Sequence, residues 1–206
     1  MLITGAGGFA RELLELCLLL RPKEKIVFFD DRDAALLKIH DQYSVIKSFA
    51  AAEKHFTKKS DFCLGIGGVA NRKKLYAKMI ACGGKPVTLV SPFAHIGKHA
   101  VQIGAGSSVG TGTVITTNVT IGEGCLVNIN ATIGHDCRIG DFCEIAPGVH
   151  ISGNCHIGNM CSIGTGAVIL PGIRIGNNCS IGAGAVVTKN VAAGLTVTGM
   201  PAKPRK

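Results

Sequence analysis

Close to the N-terminus the residues Gly5-Ala6-Gly7-Gly8-Phe9-Ala10 form a G-x-G-x-x-A pattern, and an acidic pair, Asp30-Asp31, follows about twenty residues later. A glycine turn between a strand and a helix leaves backbone N–H groups facing outward, where a phosphate can sit. The acid is spaced for a ribose hydroxyl. The same turn also serves a merely tight strand-to-helix connection, so both readings stand at this point. A second glycine pair, Gly67-Gly68, follows another apolar run. Candidate substrate contacts are therefore Gly5, Gly7, Gly8, Asp30, Asp31 and Gly67. Metal or disulfide chemistry has little support: the nine Cys include no C-x-x-C pair.

The elements that must hold these residues read as a small α/β unit over residues 1–90. Leu2 to Thr4 is a first strand, and Leu13, Leu14, Cys17 and Leu20 give the following helix one apolar face. Further strands are expected over Lys25 to Phe29, Phe62 to Ile66 and Pro86 to Val90, with a helix from about Ala70 to Cys82. Such a unit holds only half of a dinucleotide fold, which argues against a dehydrogenase.

The rest of the chain, 91–206, is dominated by a repeat. Ile or Val stands at every sixth position from Ile103 to Val187, fifteen in succession. Three residues after each comes Gly, Asn or Asp in thirteen of the fifteen hexads, Phe142 and Met160 being the exceptions. Those types tolerate the positive φ that a sharp corner needs. Four residues after each aliphatic comes a small or β-branched residue, and Cys125, Cys137, Cys143, Cys155, Cys161 and Cys179 all fall in that column. These six are therefore expected to face inward. Short strands meeting at corners, three sides to a coil, give eighteen residues per turn and about five coils. Stacked at about 4.8 Å, they make a parallel β-helix roughly 24 Å tall.

Composition narrows the class. The formal net charge is +9 with only 17% charged residues, and mean hydropathy is +0.35. Basic residues are scattered without interleaved aromatics, and Trp is absent, so nucleic acid is not expected as a partner. A basic surface also suits polyanionic small molecules such as nucleotides and coenzyme A. Without a signal-like start or a span-length apolar stretch, the chain is expected to be cytoplasmic, with reduced thiols and no membrane insertion.

A truncated Rossmann-like domain followed by a hexapeptide-repeat β-helix resembles the bacterial nucleotide-amino-sugar N-acetyltransferases and sialic acid O-acetyltransferase-like proteins. The most specific stretch is Asn128-Ile-Asn-Ala-Thr-Ile-Gly-His135-Asp136-Cys137-Arg-Ile-Gly-Asp141-Phe142, followed by Pro147-Gly148 and Gly153-Asn154; the ending Gly199-Met200-Pro201-Ala202-Lys203 is shared more widely. The resemblance implies a left-handed coil, against the usual crossover rule; periodicity alone does not give the hand. It also implies a homotrimer with active sites between subunits, acetyl-CoA as co-substrate and no metal. The family's catalytic histidine falls on His135, as general base toward a sugar amine. Asp136 either orients the imidazole or merely suits its corner.

Gly153 lies eighteen residues after His135, one coil on, and the family places an oxyanion-stabilising amide there. Gly153, Gly164, Thr165, Gly182, Ala183 and Lys189 are the implied cofactor contacts. Asn128 is either a substrate contact or a corner cap. Relatives often carry a second histidine where this chain has Glu144; a carboxylate beside His135 would hold an ammonium group and favour an amino sugar. His150 and His156 fall in other columns, and the three-histidine zinc spacing of the β-helix carbonic anhydrases is not matched. The expected activity is acetyl transfer to the amine of a nucleotide-linked amino sugar, a 4-amino-4,6-dideoxy sugar in particular. Sialic acid O-acetylation and a non-catalytic, nucleotide-binding trimeric scaffold are the alternatives.

Overall fold

The structure is a computed structural model and describes residues 1–205. It divides into two compact units, Met1–Gly67 with Asn71–Leu89, and Gly68–Ala70 with Val90–Lys206.

In the first unit, β1 (Leu2–Thr4) lies at the centre of a sheet flanked by β2 (Val27–Phe29) and β5 (Asp61–Leu64). The full order is β3-β4-β2-β1-β5-β6, where β3 is Lys38–Ile39, β4 is Tyr43–Ile46 and β6 is Lys85–Pro86. All pairs are parallel except β3 with β4. The helices are α1 (Gly8–Leu20), α2 (Phe49–Phe56) and α3 (Val69–Ala81). Because β1 pairs with β2 on one edge and β5 on the other, the chain leaves the sheet in opposite directions after β1 and β5. Such a switch point opens a crevice beyond the carboxyl ends of the strands.

Helix α1 buries Ala10, Leu13, Leu14 and Cys17, whereas Leu20 is exposed in the last turn. The apolar stripe therefore starts one turn earlier than the sequence pattern suggests. Residues 32–60, from which no elements were expected, supply β3, β4 and α2. The run Pro86–Val90 is not one strand: Lys85–Pro86 closes the first sheet, and Leu89–Val90 starts the second unit's coil.

The second unit is a left-handed parallel β-helix of triangular section. Each side is a stack of two-residue strands, in register at eighteen residues per coil, as in Thr132↔His150 and Ile133↔Ile151. The first side carries Ser108–Val109, Leu126–Val127, Glu144–Ile145, Ser162–Ile163 and Ser180–Ile181; the second carries Val114–Ile115, Thr132–Ile133, His150–Ile151, Val168–Ile169 and Val186–Val187; the third carries Thr120–Ile121, Arg138–Ile139, His156–Ile157 and Arg174–Ile175.

The coil extends past both ends of the strict repeat. Ile96 pairs with Ile115, nineteen residues on, so one inserted residue hides the opening strands Leu89–Val90 and His95–Ile96 from a six-residue register. At the other end Ile181 pairs with Val197, sixteen residues on. The aliphatics of the repeat fill one interior core.

The corners adopt positive φ throughout, from Gly106 at 70° to Gly184 at 65°. Phe142 and Met160 do so too, at 53° and 56°. For Phe142 the strain is offset by burial, its ring lying over Gly124 where a side chain would otherwise sit.

All six cysteines of the inward column are buried. Each thiol donates to a carbonyl further along: Cys125 to Gly140, Cys137 to Ser152, Cys143 to Gly158, Cys155 to Leu170, Cys161 to Gly176 and Cys179 to Ala192, at 3.0–3.2 Å. Ser107 and Thr113 occupy the same column and make the same bond, both at 2.9 Å, to Gly122 and Asn128. The column thus pairs carbonyls that the strand ladders leave unused at the corners.

Candidate active site

His135 stands on the corner between the second and third sides, one coil before Gly153. The two backbones are coupled, the Asn154 N–H donating to the His135 carbonyl at 2.8 Å. The imidazole lies across Gly153. A Cβ built on Gly153 would stand 2.5 Å from His135 Nε2 and 2.7 Å from Cε1, so only glycine leaves room for the ring. The Gly153 N–H has no acceptor among the described residues.

His135 Nδ1 is 2.7 Å from Asp136 Oδ2. An ionised carboxylate only accepts, so Nδ1 carries a proton, and in the neutral imidazole the lone pair is therefore at Nε2. The Asp136 carboxyl is held below the usual carboxylate range, chiefly by this bond and then by a bond from Asn118 Nδ2 to Oδ1 at 3.1 Å. The side chains of His135 and Asp136 are 57% and 48% exposed. The pair therefore adds little to stability. Asp136 also occupies a corner with φ of 58°, so both readings of this residue describe the same atoms. Asn118 was missed from the sequence, although it lies eighteen residues before Asp136 in the same column.

Cys137 turns into the core, its thiol donating to Ser152 O. Its hydrogen bond with Cys155 and its burial push the thiol's pKa upward, so it stays protonated and is no nucleophile. His150 faces out of the second side, with Nδ1 2.9 Å from Thr132 Oγ1. Among the described residues no three His, Cys, Asp or Glu cluster as a metal would require.

The implied cofactor residues fall on two edges. Gly153 shares the His135 edge with Lys189, three coils beyond His135 by register. Thr165 and Ala183 stack with Pro147 on the edge between the first and second sides, where Gly166 N–H donates to Pro147 O and Gly184 N–H to Thr165 O. Gly164 and Gly182 immediately precede them, with N–H groups committed to the strand ladder. The two edges bound the second side, whose outer positions include half-buried Val114, Thr132, Val168 and Val186.

Glu144, expected beside His135, and Asn128, read as a substrate contact or a corner cap, both lie away from the His135 edge of this chain. Glu144 projects from the first side, opposite the His135 edge, because it occupies a strand position and not a corner. Its Oε2 accepts the Gly68 N–H at 2.7 Å, a bond within the second unit. Asn128 lies on the edge between the first and second sides, and its Oδ1 accepts the N–H of Ile129 at 2.7 Å, a corner cap.

In the first unit, the carboxyl ends of β1, β2 and β5 surround an open cleft of about 1000 Å³. Gly5, Gly7, Gly8, Asp30, Asp31 and Gly67 all line it. Gly5 has φ of 85° and lies so close to Gly65 and Ile66 that no side chain fits. Gly7 and Gly8 have open space before them. Gly7 caps α1 without a side-chain bond, and no acidic residue occupies the first turn, so the helix N-terminus keeps its positive end uncompensated.

Asp30 Oδ1 accepts the Arg32 N–H at 2.9 Å, whereas Asp31 has no partner among the described residues. Sequence reading missed other lining residues: Phe29 and Phe49, with ring centroids 4.9 Å apart, and Lys74 and Lys78, with Lys78 Nζ 4.5 Å from the Phe49 ring. The four-residue spacing of the lysines on α3 was a usable signal.

Comparison with known proteins gives a consistent picture. Residues 1–79 match the PglD N-terminal domain family, and residues 118–153 and 154–189 match the bacterial transferase hexapeptide (six repeats) family. Among solved structures, the chain is similar to the acetyltransferase domain of PglB from Neisseria gonorrhoeae, at 33% identity over 99% of this chain and 98% of that one, with a TM-score of 0.91. WeeI from Acinetobacter baumannii matches with 33% identity, the same coverage and a TM-score of 0.92. PerB from Caulobacter crescentus, solved with CoA and GDP-perosamine, matches with 28% identity over 100% of this chain and 96% of that one, with a TM-score of 0.89. No curated protein sequence matches.

Proposed function

Because this chain belongs to the hexapeptide-repeat acetyltransferases that carry a PglD-type N-terminal domain, we propose that it transfers acetyl from acetyl-CoA to the amine of a nucleotide-linked amino sugar. A 4-amino-4,6-dideoxy sugar is the acceptor that fits the resemblance. The observation that carries the reading is the His135 imidazole, fixed by Asp136 at Nδ1, open at Nε2 and laid across Gly153. The amine nitrogen attacks the thioester carbonyl and forms the new C–N bond as its proton passes to Nε2. The Gly153 N–H stabilises the charge that develops on the carbonyl oxygen. The C–S bond then breaks, and the proton on His135 goes to the departing CoA sulfur. No covalent enzyme intermediate is needed.

The cleft beyond β1, β2 and β5 is the proposed nucleotide site. Uncompensated α1 amides and two lysines suit a diphosphate, Asp31 suits a ribose hydroxyl, and the half-buried Phe49 ring, backed by buried Phe29, suits a base. The assembly is proposed to be a homotrimer in the cytoplasm. Its support is the split of the candidate cofactor residues between two edges of one side. One neighbour's His135 edge and the next neighbour's Thr165 edge would together line a single cofactor channel.

The deciding experiment measures CoA release with UDP-, dTDP- and GDP-linked 4-amino sugars beside free sialic acid. Turnover of an amino sugar is expected. Turnover of sialic acid alone, or no heat of acetyl-CoA binding by calorimetry, would overturn the proposal.

A further inference from the structure

Asp136 is half exposed, and an exposed carboxylate held by one bond is free to swivel about its terminal torsion. Here both oxygens are engaged: Oδ2 accepts from His135 Nδ1 at 2.7 Å and Oδ1 accepts from Asn118 Nδ2 at 3.1 Å. The backbone repeats the link, since the Asp136 N–H donates to Thr117 O at 3.1 Å. Asn118 is itself seated, its N–H donating to His99 O at 3.1 Å, while Thr117 Oγ1 donates to the same carbonyl at 3.0 Å.

The residue type at 118 is narrowly specified by two demands. Its φ is 54°, a conformation that Gly, Asn and Asp adopt with least strain. Of those three, only Asn has a side-chain donor. A neutral amide also fixes the carboxylate without neutralising it, so the pull of Asp136 on an imidazolium at His135 is kept.

We infer that Asn118 is a positioning residue for acetyl transfer, acting through Asp136 to hold the His135 imidazole in its working orientation. The inference rests on the base role of His135. It assigns Asn118 no contact with either substrate.

The test is a double-mutant cycle on the full-length protein, with Asn118→Gly, Asp136→Asn and both together. Asn118→Gly keeps the left-handed corner and is expected to lower kcat about fivefold, with both KM values within about twofold. In the Asp136→Asn background it should cost nothing further. Asn118→Asp keeps shape and corner but sets a second carboxylate against Asp136 and near the imidazole. The acid-side fall of kcat/KM should then move to higher pH by about half a unit or more, and this readout decides the matter should Asn118→Gly not fold.

Full multiplication of the Asn118→Gly and Asp136→Asn losses would overturn the inference, as would an unmoved pH profile in Asn118→Asp. An inactive His135→Ala beside an unaffected Asn118→Gly would sink this inference alone. A His135→Ala enzyme keeping more than about a tenth of kcat/KM would sink the base assignment beneath it.

Discussion

The base role proposed for His135 gives its two ring nitrogens different tasks, and hydrogen bonding distinguishes them. With Nδ1–H committed to Asp136, the tautomer that leaves Nε2 basic is selected before substrate arrives. The Asp136 carboxyl is depressed by the His135 bond first and Asn118 second. A depressed folded value means that the pairing is fully present above the ordinary aspartate range and is lost only as pH falls through that lower value. The pair should therefore stay intact across neutral pH, and Asp136→Asn should lower kcat by about tenfold or more at every pH from 6 to 9, measured as CoA release. Gly153 gives a sharper case. Its alanine variant would place a methyl group 2.5 Å from Nε2, so the ring must move. Displacement on that scale is expected to cost about a hundredfold in kcat with acetyl-CoA binding retained by calorimetry.

The coil, as an element, depends on what each column of the repeat does. Aliphatics supply the buried area, and positive-φ corners turn the chain. The cysteine column meets corner carbonyls that the ladders leave over. Cys143 is fully buried, and its thiol reaches Gly158 O at 3.0 Å. Cys143→Ser should keep that bond, as Ser107 does naturally, whereas Cys143→Val removes the donor. The valine variant is expected to be the less stable of the two by about 1 kcal/mol in chemical denaturation, despite being more apolar. The reverse order would show that the column serves packing alone. In the other unit, Gly8→Asp would set an acidic side chain at the open N-terminus of α1. It should weaken nucleoside diphosphate binding by about tenfold or more while leaving acetyl-CoA binding unchanged, both measured by calorimetry.

At the scale of the whole molecule, the second side of the coil carries half-buried Val114, Val168 and Val186 outward, where the third side carries Arg138, His156 and Arg174. The half-buried valines, with Thr132 and exposed His150 between them, fit coverage by another copy of the chain. Light scattering is expected to give a mass of about 64 kDa, three times the 21.3 kDa of one chain. A mass of one chain would leave Thr165 and Ala183 on a different edge from His135 and remove the basis for a shared channel. Among the described residues no helix is long and apolar enough to cross a membrane.

The fold of the second unit was legible because a six-residue repeat with turn residues at fixed offsets prescribes three-sided coils, the resemblance adding only their hand, and an eighteen-residue coil then works as a ruler. It stacked Gly153 on His135 and turned six cysteines inward without any coordinates. The cleft glycines and Asp30-Asp31 were legible for a related reason, since chain order alone sends each of these loops to the carboxyl end of a parallel strand. The ruler works only in strict register. One inserted residue before Ile103 hid the coil's opening strands, and two short strands with an eight-residue helix over 38–56 are too brief to show a period. Side-chain direction was decided only in three dimensions: Glu144 turned to Gly68 and not to His135, Asn128 bent back on its own corner, and Asn118 reached across a coil to Asp136. Periodicity specifies where a backbone goes. Which hydrogen bond a polar side chain makes depends on every acceptor within reach, and those are assembled only by the tertiary structure.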